Sequence, residues 1–233
     1  MQKGKLYLIP TVLAENATAT IPDYIKDILI TTDHYIVEHL KSARRFIKSI
    51  CKEKNIDACE FYEMDKHKEY QFDDAFLNVI FEGKNIGVLS EAGTPCIADP
   101  GNKVVKLAHE LEIKVVPLVG PSSILLALMA SGFNGQQFSF NGYLPIDPNE
   151  RKNKILQMET AAKKGNTQLF MDTPYRNTRL LEELLQVLKF DTMLCIACNI
   201  TARDEFIRTL PAAEWKKQKP DINKKPAIFI LGK

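Results

Sequence analysis

Two α/β domains, the first on a mostly parallel sheet and the second on a mixed one, are what this sequence predicts. Three observations carry that expectation. The first half alternates short apolar strands with helical patterns five times, the signature of a doubly wound sheet. The second half sets strands in succession without a helix between them, which argues for antiparallel partners in a mixed sheet. Between the two halves, near Leu118 to Gly120, the rhythm changes, so residues 1–118 and 119–233 are the expected domains.

Lys5-Leu6-Tyr7-Leu8-Ile9 is a first strand, stopped by Pro10. A loop to Thr20 and a short helix from Pro22 to Ile30 follow, then a second strand at His34–Glu38. Residues 40–52 read as an amphipathic helix with Phe46, Ile47 and Ile50 inward and Lys41, Arg44, Arg45, Lys48 and Lys52 on its other faces. Such a charge run is either a solvated face or a patch for RNA phosphates. Glu60-Phe61-Tyr62 is a third strand, residues 73–81 a helix burying Phe76, Val79 and Ile80, and Ile86–Leu89 a fourth strand.

After that strand comes Ser90-Glu91-Ala92-Gly93-Thr94-Pro95-Cys96-Ile97-Ala98-Asp99-Pro100-Gly101, a loop of small residues at a strand's carboxyl end. Ligands of open α/β sheets sit there, and Gly93 would let one lie against bare backbone. The loop lacks both the G-x-G-x-x-G of a dinucleotide site and the glycine-lysine of a phosphate loop. Asp99 is the expected N-cap and Pro100 the first helical residue of the helix carrying Val104, Val105, Ala108 and Leu111.

Lys114–Leu118 is the fifth strand. Gly120-Pro121-Ser122-Ser123 then opens a helix over 124–130, apolar on every side and therefore expected to be buried all round. Phe138–Tyr143 alternates like a strand, and a charged helix covers residues 149–163. Thr167–Asp172 is a strand, Thr173-Pro174 starts a leucine-rich helix, and Met193–Cys198, residues 204–209 and Ala227–Leu231 are further strands. Trp215–Pro220 reads as a loop.

The chain has 233 residues, 45% hydrophobic and 26% charged, which suits a globular protein with a substantial core. A net charge of +2 leaves any basic surface to be local. No apolar run approaches the roughly 20 residues of a membrane span, and the first residues carry no signal-peptide core, so a cytoplasmic protein is expected. Five cysteines at irregular spacing suit free thiols. Cys195 and Cys198 form a C-x-x-C inside a strand, where positions three apart face opposite sides, so a structural role is expected and no metal site.

Together these blocks resemble the tetrapyrrole (corrin/porphyrin) methylase superfamily, and within it the ribosomal RNA small-subunit 2′-O-methyltransferases that act on a cytidine of 16S RNA. Ser90-Glu91-Ala92-Gly93-Thr94-Pro95 with Ala98-Asp99-Pro100-Gly101 stands where that family writes S-D-A-G-T-P-x-I-S-D-P-G. Val116 to Ser123 matches V-P-L-P-G-P-S-A, Ala130 to Phe133 matches A-S-G-L, and Phe138 to Pro145 matches F-x-F-x-G-F-L-P. Thr173-Pro174-Tyr175-Arg176 stands where the family has S-P-H-R.

The resemblance implies S-adenosylmethionine in a cleft between the two domains, a homodimer, and ribosomal RNA or the small ribosomal subunit as partner. Carried over by position, it implies cofactor contacts at Pro10, Ala92, Gly93, Thr94, Pro95, Ile97, Ser122 and Ser123. The same reasoning implies Phe170, Met171, Ala202, Pro226 and Ala227 in the second domain. On the acceptor side the sequence departs from the family: A-E-D-T-R-H-T-R is Val37 to Arg44 here, keeping Glu38 and Arg44, and H-x-H-N-E is Tyr62 to Lys66. Glu38 and Arg44 are thus the acceptor-side candidates, with a helix-entry ion pair as the alternative, and no catalytic base is assigned. A methyltransferase acting on RNA is the leading expectation. A tetrapyrrole or other small-molecule methyltransferase and a non-catalytic cofactor- or RNA-binding relative are the rivals.

Overall fold

The computed structural model of the protein describes residues 3–64 and 74–233. The chain forms two compact units, residues 1–122 and 123–233. Asp65, Lys66 and the expected helix start at Asp73 lie outside the described residues.

In the first unit, β1 (Lys5–Ile9), β2 (His34–Val37), β3 (Glu60–Glu63), β4 (Ile86–Leu89) and β5 (Lys114–Pro117) make one sheet in the order β3-β2-β4-β1-β5. Every neighbouring pair is parallel. The helices α1 (Tyr24–Ile30) and α2 (Leu40–Ile50) bury Ile25, Leu29, Phe46 and Ile47 against Ile9, Tyr35, Val37 and Leu89. On the opposite face, α3 (Asp74–Phe81) and α4 (Asn102–Glu110) pack Phe76, Ile80, Val104 and Ala108 on Leu6, Ile36, Ile86 and Val88. Coverage on both faces is why the central strand β4 is a buried apolar run rather than an alternating one. The neighbours β1 and β4 send their crossovers to opposite faces, which makes the carboxyl edge between them the topological switch point where open α/β sheets take ligands.

Asp99 does not cap α4 as the sequence suggested. The helix begins at Asn102 behind Gly101, and the Asp99 carboxylate instead accepts the N–H of Cys96 at 2.8 Å and of Gly101 at 2.7 Å. An aspartate one residue before a Pro-Gly pair closes its own loop more readily than it reaches a helix starting three residues on.

In the second unit, β6 (Phe138–Tyr143), β7 (Thr167–Met171), β8 (Met193–Cys198), β9 (Phe206–Pro211) and β10 (Ala227–Gly232) lie in the order β6-β7-β10-β8-β9. β6 and β7 are parallel and the other pairs antiparallel, the mixed sheet expected. Its main core joins Ile155 and Met158 of α6 (Pro148–Lys163), Leu180 and Leu184 of α7 (Asn177–Val187), and Phe170, Ile196 and Phe229 of the sheet. Asp147 caps α6, its carboxylate accepting the N–H groups of Asn149 and Glu150 at 2.9 Å each.

Two expectations fail here. Residues 212–217 are not loop but α8 (Ala212–Lys217), which seats Trp215 in the core with its indole N–H donating to the Leu194 carbonyl at 2.9 Å. The two lysines and nearby Pro220 hid a helix of under two turns, which tertiary packing stabilises. The helix α5 (Ser123–Ser131) buries Ile124, Ala127, Leu128 and Ser131 but leaves Leu125 52% and Met129 78% exposed. A sheet covers only one stripe of a helix, so an apolar composition did not secure burial on every side. All five cysteines are free, and Cys195 and Cys198 are both buried in β8 without pairing.

Candidate cofactor and acceptor site

Parallel pairing gathers the carboxyl ends of β1, β2, β4 and β5 along one edge of the first sheet. There the Thr11 N–H donates to the Gly93 carbonyl at 2.9 Å, and the Ser90 hydroxyl donates to the same carbonyl at 3.0 Å. The loop after β4 is thereby fastened to the loop after β1. Gly93 has φ +75, and a Cβ placed on it would stand 2.8 Å from the Leu13 side chain and 3.0 Å from the Pro121 carbonyl oxygen. Only glycine satisfies both the conformation and the space. Gly120 is as constrained: a Cβ there would fall 2.2 Å from the Pro10 ring.

Cys96 and Ala98 hold φ of +68 and +64 in the same loop. Left-handed conformations of non-glycine residues cost roughly 1–3 kcal/mol and collect at ligand-binding sites. The Asp99 carboxylate sustains the first of them by its bonds to Cys96 N–H and Gly101 N–H. Burial, aided by the Asp99 charge, pushes the Cys96 thiol up to about 12, so it stays protonated at neutral pH. Of the residues implied as cofactor contacts, Pro10, Gly93 and Pro95 are buried, while Ala92 and Ile97 face outward.

Three carboxylates stand toward the β2–β3 side of this edge. Glu38 accepts the backbone N–H of Glu91 at 3.1 Å, and the Glu91 carboxylate accepts the Ser42 hydroxyl at 2.6 Å. Glu63 accepts the N–H of Leu40 at 2.7 Å and so caps α2, favourably placed against the helix dipole. Glu38 is thereby joined to the Gly93 loop. Arg44 is paired elsewhere, with Asp57 at 2.5 Å, and lies over the Phe61 ring.

In the second unit, antiparallel pairing brings Met171 beside Ile228 and Cys198 beside Ala227. One end of that sheet therefore collects Phe170 and Met171, the loop from Asn199 to Glu205, and Pro226-Ala227. The Asn199 N–H donates to the Pro226 carbonyl and the Ala202 N–H to the Asn199 carbonyl, both at 2.9 Å. Asn199 and Thr201 have φ of +50 and +71. For a β-branched residue that is a marked departure, held here by the Thr201 N–H donating to Glu205 at 2.7 Å. The Thr201 hydroxyl oxygen is buried with no hydrogen-bond partner among the described residues.

The structure thus assembles the implied contacts into two strained loop clusters, one per unit, with Ser122 and Ser123 where the units part. Sequence reasoning missed Thr11, Ser42, Glu63 and Thr201. Glu91 had a signal, since the resembling family carries an acid at that position. Thr201 had none, because its distinction is a backbone angle.

The profile of the tetrapyrrole (corrin/porphyrin) methylases matches residues 28–215. The chain belongs to that family. It is 32% identical over 229 residues to the ribosomal RNA small subunit methyltransferase I of Vibrio cholerae, spanning 97% of this chain and 75% of that relative. To the protein of the same name in Escherichia coli O157:H7 it is 28% identical over 232 residues, covering 98% and 78%. Among solved structures, the methyltransferase CobJ superposes with a TM-score of 0.64 over 98% of this chain and 94% of its own, at 15% identity. That likeness concerns the fold. As a tetrapyrrole methylase family member the chain is a methyltransferase, a class that uses S-adenosylmethionine.

Proposed function

We propose that this tetrapyrrole methylase family member transfers the methyl group of S-adenosylmethionine to a ribose 2′-hydroxyl of ribosomal RNA in the small subunit. The relatives' names and the length over which they match support the RNA acceptor. The observation that carries the site is the loop Ser90 to Gly101, built around a glycine at φ +75 where a Cβ would be strained and crowded, and two left-handed residues. The residues that the family resemblance implies, Pro10, Ala92, Gly93, Thr94, Pro95, Ile97, Ser122, Ser123, Phe170, Met171, Ala202, Pro226 and Ala227, would be the ones to hold the cofactor. The residues fit such a group: the Thr201 hydroxyl is a buried polar atom awaiting a partner beside Ala202, and the Gly93 backbone is bare.

When bound, S-adenosylmethionine supplies a methyl group on a positively charged sulfur, open to in-line displacement by an oxygen. The chain's own contribution is to hold the acceptor in line and keep water out, which supplies much of the acceleration in such transfers. Glu38 and the fastened Glu91 mark the acceptor side of the loop, and Arg44 serves α2 through Asp57. The enzyme is cytoplasmic and a homodimer in this reading, the exposed Met129 of α5 being an apolar side chain that a second copy would cover. No helix among the described residues is long and apolar enough to cross a membrane.

The test is methyl transfer from labelled S-adenosylmethionine to small ribosomal subunits lacking the modification, followed by mass spectrometry of the digested RNA. Label in a 2′-O-methyl nucleoside supports the proposal. Label in a porphyrinogen but not in RNA would replace the acceptor, and cofactor binding without transfer to any acceptor would leave a binding protein.

A further inference from the structure

At the end of β7 lies a cavity of about 140 Å³ lined by Ile146, Arg151, Asp172, Arg176, Arg179 and Glu183. Its charges are ordered in depth. Arg151, buried, pairs with Glu183 through Nε at 2.6 Å and donates to the same carboxylate from a terminal nitrogen at 2.9 Å. Its other terminal nitrogen donates to the Pro145 carbonyl at 3.3 Å. Asp172, also buried, is met by Arg176 at 2.6 Å. Arg179 reaches the same Glu183 at 2.9 Å, yet its side chain is 71% exposed. Glu183 therefore answers two guanidinium groups, and one cationic charge is left in excess at the mouth.

Beside that mouth the chain runs Pro174-Tyr175-Arg176 as a single turn of 3₁₀-helix, ahead of α7. Tyr175 is 77% exposed, with the Lys224 ammonium over its ring at 6.0 Å. Ile146, which also lines the cavity, is 76% exposed. An aromatic ring standing in solvent among cationic groups is how proteins hold single-stranded nucleic acid: bases stack on the ring while arginine and lysine neutralise phosphates. Four cationic groups against two carboxylates give the complementary charge.

We propose that this surface binds a single-stranded segment of the RNA acceptor, a base stacking on Tyr175 and the adjoining phosphates meeting Arg179, Arg176 and Lys224. The proposal rests on the RNA reading above and adds to it the place where the strand is held. Tyr175, Arg179 and Lys224 are outside the residues assigned to the cofactor, so the two kinds of binding separate.

The experiment measures fluorescence anisotropy of a labelled single-stranded RNA of about twelve nucleotides, within the usual site size for such surfaces, on the full chain at several salt concentrations. Calorimetry with S-adenosylmethionine runs in parallel on every variant. Tyr175→Ala is expected to weaken RNA binding about tenfold or more, and Tyr175→Phe, which keeps the ring, to retain it. Arg179→Gln is expected to lower the slope of log affinity against log salt by about 0.7, the loss of one phosphate contact on a single strand. Cofactor affinity stays unchanged throughout. If the wild type binds RNA and all three variants bind it equally, the surface is not the site and the proposal is overturned while the RNA reading stands. If an oligoglutamate of equal charge competes as well as RNA with no dependence on Tyr175, the patch is merely anionophilic and the proposal fails. Absence of RNA binding by the wild type, cofactor binding intact, overturns both.

Discussion

The Ser42 hydroxyl donates to the Glu91 carboxylate across 2.6 Å, tying the first turn of α2 to the loop that follows β4. Because Glu91 also gives its backbone N–H to Glu38, the β2–α2 connection is anchored to the Gly93 loop at two points. Glu91→Gln keeps an oxygen that accepts from Ser42, whereas Glu91→Ala removes it. An exposed hydrogen bond of this kind contributes about 1 kcal/mol. Calorimetry should therefore find S-adenosylmethionine binding near wild type in the glutamine variant and weaker by several-fold in the alanine variant and in Ser42→Ala.

Gly93→Ala should be far more severe. The new methyl meets the Pro121 carbonyl oxygen, which is backbone and cannot swing aside, and φ +75 disfavours any side chain. Conformation alone costs about 1 kcal/mol or more. Loss of at least tenfold in cofactor affinity, with a lower urea midpoint, is the expected result. Wild-type affinity in that variant would remove the loop from the site.

Arg151 and Glu183 hold the turn after β6 to α7. Removing one partner of a buried ion pair typically costs about 3–5 kcal/mol. Glu183 keeps Arg179 and is 25% exposed, so Arg151→Met should fall at or below the lower end of that range, about 2–3 kcal/mol by urea unfolding. Arg151→Met with Glu183→Leu should recover much of the loss, because no buried charge is then left without its partner and the Arg179 side chain, 71% exposed, is solvated.

Alkaline pH offers a fourth test. Burial pushes Cys96 from the usual 9.0 to about 12 and Cys198 to about 11. The unfolded chain releases these protons near pH 9 while the folded chain retains them, so the folded state binds more protons in between. Their contribution is complete below about pH 9 and is lost as pH rises toward 11 and 12. Urea midpoints measured between about pH 8 and 11 should fall more steeply for the wild type than for Cys96→Ala with Cys198→Ala.

Much of the architecture was legible because it rests on periodicity. Strands buried on both faces, such as Ile86–Leu89, leave apolar runs, and Leu180, Leu181, Leu184 and Leu185 mark the inner face of α7. The helix at Trp215 was not, since it is too short for a period to emerge and owes its form to the indole's place under β8. The site divided in the same way. The loop after β4 announced itself by small residues at a strand end, whereas Ala202, Pro226 and Ala227 have no local signature and came from the resemblance alone. Their proximity is made by antiparallel register, and Thr201 is set apart by a dihedral angle that no residue type encodes. Asp99 was read at the right place in the wrong task, because Asx turns and helix caps use the same residue.

The tryptophan at position 215 is the single one in the chain, sunk in the second unit with 1% of its surface in contact with solvent. Selectively excited indole emission is consequently a private reporter: it follows the melting of residues 123–233 and is blind to the other sheet. Backbone dichroism sums over both. Comparing the two signals along one denaturation curve would reveal whether the halves come apart together or in turn, with no label attached.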